Sequence, residues 1–501
     1  MAAAAAISFP ISLSPPLHPS LRRAPRPSCT NSERGVSFDP GSAFYRSDSA
    51  AGRDLAVLAA TLNRGGRADP ASPFLCLDAM CGCGVRALRY LAQAGADFVW
   101  ANDASEALRP VIVANLSRFD SGAAAPETGR RRWVVSHNVA DRLLAERYLR
   151  REYFDVIDVD SFGGDSAYVR ASLLALKIGG LLYLTSTDWR SARGYGSRSS
   201  LSSYGAYVRP MPYPNEVGLR MVIGGAAREA AMLGFHITPL FSYFAYHGPI
   251  YRVMVQLCNG KEDGISNYGF ICHCKSCGQS QTFGFDELGQ IACGCTDRID
   301  ADSITVVGPL WIGPLHDASF LTRMLTLASE WGWATENDAT LGKLLRTMIE
   351  ESDPRLPPGY IRLDEISHRA KVNSPPLGTL INSLRKEGFA ACRSHIGANA
   401  IKTNSPISSC IDVAREIRNM PITPYGPLRG GSKGVVTERA VVGGTGRFRL
   451  ASGYSLTKSQ DPGQHHAHHG RLPVRSVRDL APRQVLISIL RCVATAAVRN
   501  G

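Results

Sequence analysis

The sequence predicts an α/β protein with a doubly wound, mostly parallel β-sheet, followed by a smaller α+β domain. Two patterns support this prediction. From about residue 54 onward, short apolar runs alternate with helix-like stretches, which is typical of a parallel sheet covered by helices. Further along, the apolar runs "ITPLFSYF" and "YRVMVQL" are joined by a short connection at Gly248-Pro249, which predicts an antiparallel hairpin at one edge of the sheet.

The strands of this sheet follow one another in the first half of the chain. "FLCL" leads into Asp78, and "FVWAN" leads into Asp103. "WVV", "FDVID" and "LLYLTST" predict further strands near residues 133, 154 and 181, each separated from the next by helix-like sequence. A parallel sheet that ends in an antiparallel hairpin is the architecture of class I S-adenosylmethionine-dependent methyltransferases. We therefore predict such a domain over residues 46–260.

The overall composition limits the classes of protein that fit. With 501 residues, 44% of them hydrophobic, the chain is long enough for two or three globular domains. It has no run of about 18 apolar residues, so no spanning helix and no membrane partner are predicted. Most of the net charge of +13 lies after Met420, where 12 basic residues face three acidic ones, so bulk charge does not indicate a nucleic-acid partner. No obligate protein partner is predicted either.

The two ends of the chain have compositions unlike the middle. Residues 1–45 are rich in Ala, Ser, Pro and Arg and contain no acid before Glu33, which is typical of an organelle transit peptide; a disordered segment without an address is the alternative. The prolines favour targeting to the chloroplast, with the mitochondrion or the nucleus as alternative locations. Residues 421–501 show no sustained period and are predicted to be a low-complexity basic tail.

The tripeptide Cys-Gly-Cys occurs twice, and its first copy lies between a predicted strand and a predicted helix. There Gly82 and Gly84 let the chain turn tightly and bring backbone near a cofactor in the crevice of the sheet. Asp103, at the tip of the next strand, offers two acceptor oxygens for ribose hydroxyls. On this interpretation Cys81 and Cys83 are small residues without a role in binding. The alternative is that they form a metal site. NAD binding uses similar parts, but "DAMCGCGVRA" does not fit the fuller dinucleotide pattern.

The stretch "FDVIDVDSFGGD" carries the predicted chemistry. Enzymes that methylate exocyclic amines have an Asp/Asn-Pro-Pro-aromatic stretch at this place in the fold. Such an amine is a poor nucleophile, so a carboxylate such as Asp160 accepts its hydrogens and aims its lone pair, while the ring of Phe162 stacks on the base. The alternative is that Asp160 caps the following helix and Phe162 belongs to the core.

The second Cys-Gly-Cys lies in a cysteine-rich segment, residues 261–307. Two cysteine pairs across a short hairpin are a usual way to bring four thiolates to a structural zinc ion. Cys272 or His273 could replace one ligand, and unmetallated buried thiols are the alternative. The four predicted ligands are Cys274, Cys277, Cys293 and Cys295.

Residues 308–420 are predicted to form a C-terminal domain that is α+β and winged-helix-like. His395 and Lys402 are candidates for phosphate contacts, or else ordinary surface residues. The loop Asp188–Gly205, with three arginines and two tyrosines, is better placed to contact RNA near the pocket. The helices of this domain are predicted over residues 318–331, 341–351 and 377–388.

Several blocks resemble the tRNA guanine-N2 dimethyltransferase family, as a plant organellar-type member. They include "GRDLAVL", "LDAMCGCGVRALRY", "DVDSFGG", "PNEVGLRMVIGGAAREAA", "GPLWIGPLHD" and "ANAIKTN", and the resemblance runs from about Gly35 to Ile417. It implies S-adenosylmethionine as cofactor, guanine 26 of tRNA as target, and a C-terminal domain that helps to grip tRNA. It places the target base at Asp160 and Phe162. The cofactor contacts are expected at Arg53, Asp78, Gly82, Arg86, Asp103 and Ala140.

The chain departs from the family pattern at two places. Ser161 stands where the family has proline, and Val139-Ala140 stands where it has Asp-Ala, so the adenine would be contacted by the Ala140 backbone or by Asp141. Two other functions remain open. One is a non-catalytic RNA-binding or chaperone protein that keeps the cofactor fold, and the other is methylation of a protein amide.

Overall fold

The computed structural model describes residues 30–120, 131–164, 166–260, 266–293, 295, 303–335, 339–419, 436–441 and 453–458. Up to residue 419 its strands, in chain order, are β1 (Asn31–Glu33), β2 (Val36–Phe38), β3 (Leu75–Asp78), β4 (Phe98–Asn102), β5 (Trp133–Ser136), β6 (Phe154–Asp160), β7 (Leu176–Ser186), β8 (Phe235–Ala245), β9 (Ile250–Asn259), β10 (Tyr268–Cys274), β11 (Ser280–Phe283), β12 (Ile304–Trp311), β13 (Ile361–Arg362), β14 (Ala391–Arg393) and β15 (Ala400–Thr403).

The helices follow the strands at short intervals. In chain order they are α1 (Ala50–Gly65), α2 (Val85–Ala92), α3 (Arg109–Asp120), α4 (Ala140–Leu149), α5 (Ser166–Ala175), α6 (Trp189–Ala192), α7 (Ser197–Tyr204), α8 (Pro214–Met232), α9 (Ala318–Glu330), α10 (Ala339–Glu351), α11 (Leu363–Ala370), α12 (Leu377–Lys386) and α13 (Ile407–Asn419).

The central sheet has seven strands in the order β5-β4-β3-β6-β7-β9-β8. The pairs from β5 to β7 are parallel, whereas β9 is antiparallel to both β7 and β8. The predicted mostly parallel sheet with an antiparallel edge hairpin is therefore confirmed. Because the chain winds outward in both directions from the neighbours β3 and β6, the carboxyl ends of these two strands open into a crevice. Asp78 ends β3 and Asp160 ends β6.

Two apolar cores lie between this sheet and its helices. In one core, the helices α4, α5 and α8 contribute the buried side chains of Leu143, Leu173 and Val222. Leu55 and Leu88 represent α1 and α2 in the other. All five side chains are at most 2% exposed, which is what fixes the helices against the strands.

The helices α9 and α10 belong to the second of these cores, with Leu321 and Leu345 fully buried in the same cluster as Leu55. The prediction that they belong to a separate C-terminal domain over residues 308–420 is therefore wrong. Helical period locates an apolar face on each helix, but it does not say which neighbour that face covers.

The cysteine-rich segment forms a three-stranded antiparallel sheet in the order β11-β10-β12. Strand β12 crosses the predicted boundary at residue 307, so this boundary is also wrong. The strand packs closely on α8, because a Cβ on Gly224 would lie 2.9 Å from the backbone nitrogen of Trp311. Glycine at this position therefore lets helix and strand approach each other directly.

Residues 361–419 form a small unit with its own apolar core, in which Leu380, Ile401 and Cys410 are fully buried. Its strands lie in the order β13-β15-β14, and α11, α12 and α13 complete it. In the tail predicted to be of low complexity, β16 (Val436–Val441) and β17 (Gly453–Lys458) form an antiparallel pair, and the rest of the tail lies outside the described residues. No helix in the described part of the chain is long and apolar enough to cross a membrane.

The hairpin β1–β2 shows that the fold begins well before residue 46. The carboxylate of Glu33 accepts hydrogen bonds from Arg53 and from Arg89, and all three side chains are buried. The prediction that residues 1–45 lie outside the fold is therefore wrong for residues 31–45. Strands of three residues are too short to show a period, so the biased composition hid them. Residues 1–29 lie outside the described residues, and the transit peptide stays a prediction there.

Replacing Glu33 by alanine should lower the free energy of unfolding by about 3–5 kcal/mol, because it leaves the buried guanidinium of Arg53 without its carboxylate. Burial opposes ionisation of Glu33, but Arg53 outweighs it and lowers the pKa of this carboxyl below 4.5. The stabilisation is thus present above that pH and is lost as the pH falls through the folded-state pKa. Urea denaturation measures it, with exposed Ser37→Ala as control; equal effects of both substitutions would contradict the role of Glu33.

Candidate active site

A cavity of about 750 Å³ opens at the carboxyl edge of the sheet, between the ends of β3, β4 and β6 and the β8–β9 turn. This is where ligands bind in doubly wound sheets. The sequence-predicted cofactor and target-base residues all line this one cavity: Arg53, Asp78, Gly82, Arg86, Asp103, Ala140, Asp160 and Phe162.

The glycine loop between β3 and α2 is held by the carboxylate at the end of the neighbouring strand. Gly82 and Gly84 have φ angles of 56° and 79°, in the left-handed region that favours glycine. Asp103 accepts the Gly82 N–H at 3.0 Å through Oδ2 and the Ser105 N–H at 2.9 Å through Oδ1. Because each carboxylate oxygen has two acceptor positions, Asp103 can still accept two hydroxyls from a ligand.

Asp78 is a buried carboxyl group without a partner. It is fully buried at the end of β3, and neither of its oxygens has a hydrogen bond to any described residue. Burial, reinforced by the nearby Asp158, raises the pKa of Asp78 well above its usual value. A ligand with a cationic group would relieve this cost, and S-adenosylmethionine carries an ammonium and a sulfonium. The residues present therefore fit this cofactor.

Arg86 holds the carboxylate of Asp160, which the sequence predicts to be catalytic. Its guanidinium is buried and forms hydrogen bonds with both Asp158 and Asp160. Arg252, on β9, lies 4.0 Å from the other oxygen of Asp160. Burial raises the pKa of Asp160, but Arg86 and Arg252 outweigh it and hold the pKa below its usual value. Asp160 is therefore ionised, and its partners among the described residues are these arginines and not backbone N–H groups of α5.

The loop after Asp160 is anchored without the proline that the family pattern has. Ser161 donates its hydroxyl to the Thr185 carbonyl at 3.1 Å, and Ser186 donates to the Gly163 carbonyl at 3.0 Å. The Gly163 N–H donates to the Thr187 hydroxyl at 2.7 Å. Three hydrogen bonds to residues at and just after the end of β7 thus fix the loop, which has no proline to restrict its backbone.

Phe162 projects from this loop and is 77% exposed, so it is not part of the core. Phe44, which is 62% exposed, meets it edge to face with 5.2 Å between the ring centroids. Both rings line the cavity. The sequence prediction missed Phe44 because the residue lies in the segment assigned to targeting. The adjacent aromatic and basic residues in "FYRSD" were the available signal.

Two other predicted contacts lie in the cavity wall. Arg53 donates to Glu33 and to the Arg46 carbonyl, so its guanidinium ties the N-terminal hairpin to the site. Ala140 begins α4, whose first turn has no side-chain cap. Asp141 accepts the N–H of its own neighbour at 2.7 Å and does not line the cavity. Of the two candidates for adenine, Ala140 lines the cavity and Asp141 does not, and the contact itself stays a prediction.

Residues 27–415 match the family model for N2,N2-dimethylguanosine tRNA methyltransferase. The chain belongs to this family. A tRNA (guanine(26)-N(2))-dimethyltransferase from Pyrococcus horikoshii is 29% identical over 383 residues, which is 75% of this chain and 92% of that protein. One from Aeropyrum pernix is 29% identical over 372 residues, which is 72% of this chain and 86% of that protein.

A solved structure from the same family shows the fold as well. The complex of Trm1 from Pyrococcus horikoshii with S-adenosyl-L-methionine superposes with a TM-score of 0.63 and 26% identity, covering 77% of this chain and 99% of that one. The sheet order and this similarity together show that the chain has the S-adenosylmethionine-dependent methyltransferase fold.

The four predicted zinc ligands come together in this family member. Sulfur–sulfur distances are 3.5 Å for Cys274–Cys295, 3.4 Å for Cys277–Cys293 and 3.3 Å for Cys293–Cys295. Sulfurs around a tetrahedral zinc ion lie about 3.8 Å apart, so a small expansion would admit the ion. His273 instead bonds the Ser280 hydroxyl at 3.0 Å.

The two candidates for phosphate contacts are buried, so both the prediction and its surface alternative are wrong. Lys402 pairs with Glu216 at 2.6 Å, and His395 pairs with Glu351. Lys402 on β15 and His395 in the loop before β15 thus pair with acids on α8 and α10. A local sequence pattern does not reveal such contacts between distant segments.

A third buried group, His316, lies 3.4 Å from Glu351 and completes a cluster with His395 that has the composition of a metal site. The tautomer opposes that interpretation. Burial lowers the pKa of His316 to about 4, so the ring is neutral. Its Nδ1 accepts the Ser242 N–H at 3.2 Å, which leaves the proton on Nε2, facing Glu351. The cluster is thus a hydrogen-bonded clamp between α10 and the C-terminal unit.

Replacing Asp103 by alanine should weaken S-adenosylmethionine binding by roughly 1.5–3 kcal/mol, the usual contribution of hydrogen bonds to a charged group. The change also frees the Gly82 N–H that shapes the loop. Isothermal titration calorimetry measures the affinity, and Asp141→Ala removes an exposed acid outside the cavity as a control. Unchanged affinity in Asp103→Ala would remove this residue from the cofactor site.

Proposed function

We infer that this chain transfers methyl groups from S-adenosylmethionine to the exocyclic N2 amine of a guanine in tRNA. The observation that carries this inference is an ionised Asp160 beside the exposed ring of Phe162, in the cavity where this fold binds its cofactor. The names of the relatives support guanine 26 as the target and two methyl groups as the product.

The cofactor would be held by four parts of the cavity. Asp78 would receive a cationic group, and Asp103 the ribose hydroxyls. The backbone at Gly82 would approach the ligand closely because no side chain intervenes, and the Ala140 backbone would face the adenine. When bound, S-adenosylmethionine supplies an electrophilic methyl group.

Asp160 acts as a fixed acceptor more than as a strong base. Arg86 and Arg252 lower its pKa, so the carboxylate takes a proton reluctantly. It can still accept an N2–H hydrogen bond, which orients the lone pair of the amine toward the methyl group. As the nitrogen gains positive charge, the same carboxylate stabilises that charge. The proton can then leave to solvent after the transfer.

The two exposed rings at the cavity suit a base that has left its stack. A guanine inside a helix cannot reach Asp160, so it must be extruded. Phe162 and Phe44 present ring faces and edges that would otherwise be solvated, and stacking on the extruded base would cover them.

We propose that the cysteine cluster holds a structural zinc ion and that residues 361–419 are a winged-helix-like unit that helps to grip tRNA. Four thiolates would leave no open coordination position for catalysis. Arg369, on α11, donates to the Ser276 carbonyl at 2.9 Å and to the Lys275 carbonyl at 3.3 Å, inside the loop between the first two cysteines. A metal at the cluster would therefore stiffen the surface on which this unit rests.

Replacing Asp160 by asparagine should leave cofactor affinity nearly unchanged and lower methyl transfer to tRNA by about 100-fold or more. The amide keeps one acceptor oxygen but loses the charge. Single-turnover assays with tRNA and labelled cofactor measure the rate, and Asp141→Asn is the control for loss of a negative charge near the cavity. Parental transfer rates in a folded, cofactor-binding Asp160→Asn protein would place the active site elsewhere.

Replacing Cys277 by serine should lower both the zinc content, expected near one ion per chain, and the thermal stability, because zinc binding contributes to folding. Elemental analysis and thermal unfolding in reducing buffer measure the two. Cys258→Ser, at a half-buried cysteine outside the cluster, should change neither. An absence of zinc from the parent protein would refute the metal site.

A further inference from the structure

The segment between β7 and α8 carries an exposed group of aromatic and basic side chains next to the catalytic cavity. We define this RNA-strand surface by its exposed members: Trp189, Arg190, Arg193, Tyr195, Arg198, Tyr207 and Arg209. None of its four arginines has an acidic partner within 4 Å in the described part of the chain. Asp188, the acid within the segment, caps α6 by accepting the Ser191 N–H at 3.1 Å. The surface therefore has unbalanced positive charge.

The surface is continuous with the catalytic cavity. Asp160 lies opposite Thr185 in the sheet register, and Trp189 follows Thr185 by four residues and lines the same cavity. The tryptophan is 37% exposed, and the neighbouring Tyr195 is 63% exposed. The two rings meet edge to face with 6.2 Å between their centroids. Aromatic faces thus extend outward from the place where the target base must enter.

The exposed side chains stand on a rigid base. Tyr204 is buried and its hydroxyl lies 3.1 Å from that of Ser186 at the end of β7. Gly194 has φ 75°, and a Cβ there would lie 2.4 Å from the backbone of Arg209, so the chain closes tightly on itself. A segment anchored in this way fixes the backbone that carries the aromatic and basic side chains before any partner arrives, which lowers the backbone entropy lost on binding.

We propose that this surface holds the RNA strand beside the target guanine, with Trp189 stacking on an unpaired neighbouring base and the four arginines contacting phosphates. The proposal rests on the proposed function. Exposed rings alternating with unpaired arginines match an extruded strand, which offers base faces and phosphates in turn. Arg190 and Arg193 lie 5.9 and 5.7 Å from the Trp189 ring, so phosphate contacts and stacking would occur side by side.

Trp189→Ala should raise the KM for tRNA roughly 5- to 150-fold, the range for loss of one base–aromatic stack, while Trp189→Phe should recover most of the affinity. Arg190→Gln combined with Arg193→Gln should weaken tRNA binding and reduce the slope of log affinity against log salt by about 0.7–0.9 for each arginine. Arg150→Gln, at an exposed arginine paired with Glu146, should leave the slope unchanged. Cofactor affinity, measured by calorimetry, should remain parental in every variant and shows that each is folded.

Filter binding of tRNA without cofactor separates this proposal from the proposed function. Parental affinity and salt slope in both Trp189→Ala and the double arginine variant would overturn the RNA-strand surface even if the parent methylates tRNA. Variants that bind tRNA normally but lose methylation of a protein substrate would overturn it in favour of an acidic protein partner. If the parent methylates no RNA yet its tRNA binding depends on Trp189, the surface stands and the proposed function fails. Should Trp189→Ala not fold, the double arginine variant decides, and its parental affinity and salt slope would overturn the proposal.

Discussion

The buried guanidinium of Arg86 makes the catalytic edge of the sheet possible. β3 and β6 end side by side, and this topology brings Asp78, Asp158 and Asp160 to one place in low-dielectric surroundings. Such carboxylates raise one another's pKa unless a cation intervenes. Arg86 neutralises two of them, so Asp160 can keep its charge while Asp78 remains the unpaired group. The distribution of charge across this edge thus separates the part suited to a cationic cofactor from the part suited to an amine.

A second buried ion pair connects this edge to the beginning of the chain. Glu33 joins Arg53 in the cavity wall to Arg89 on α2. The segment after Glu33 then carries Phe44 to the mouth of the cavity. Burying these charges is costly unless the donors have acceptors. Glu33 of the hairpin supplies acceptors to both guanidiniums, and Asp54 on α1 supplies another to Arg89. Part of the apparent N-terminal extension, residues 44–46, therefore lines the catalytic cavity.

The central sheet and the Asp160–Phe162 pair were predictable because both have strong local signatures. Alternating apolar runs mark β3 to β9. "DVDSFGG" begins in the last residues of β6 and continues into the loop where amine methylation needs an acid and a ring. Glu33 was missed because strands of three residues show no period, and Phe44 was missed because it lies in the segment assigned to targeting. Arg252 was missed although a charged residue within the apolar run "YRVMVQL" signals a buried ion pair. The neighbours of α9, α10 and Lys402 depend on tertiary packing, which local patterns do not encode.

Because α9 packs against α1, the segment after the central sheet cannot be removed or exchanged as a separate domain. A methyltransferase half that ended with the sheet would expose the face of α1 that Leu321 and Met324 cover. The clamp at Glu351 then joins α10 to the unit that follows it. Recombination at the apparent junction near residue 307 would therefore yield two incomplete fragments. Over this stretch neither part of the chain has a complete apolar core without the other.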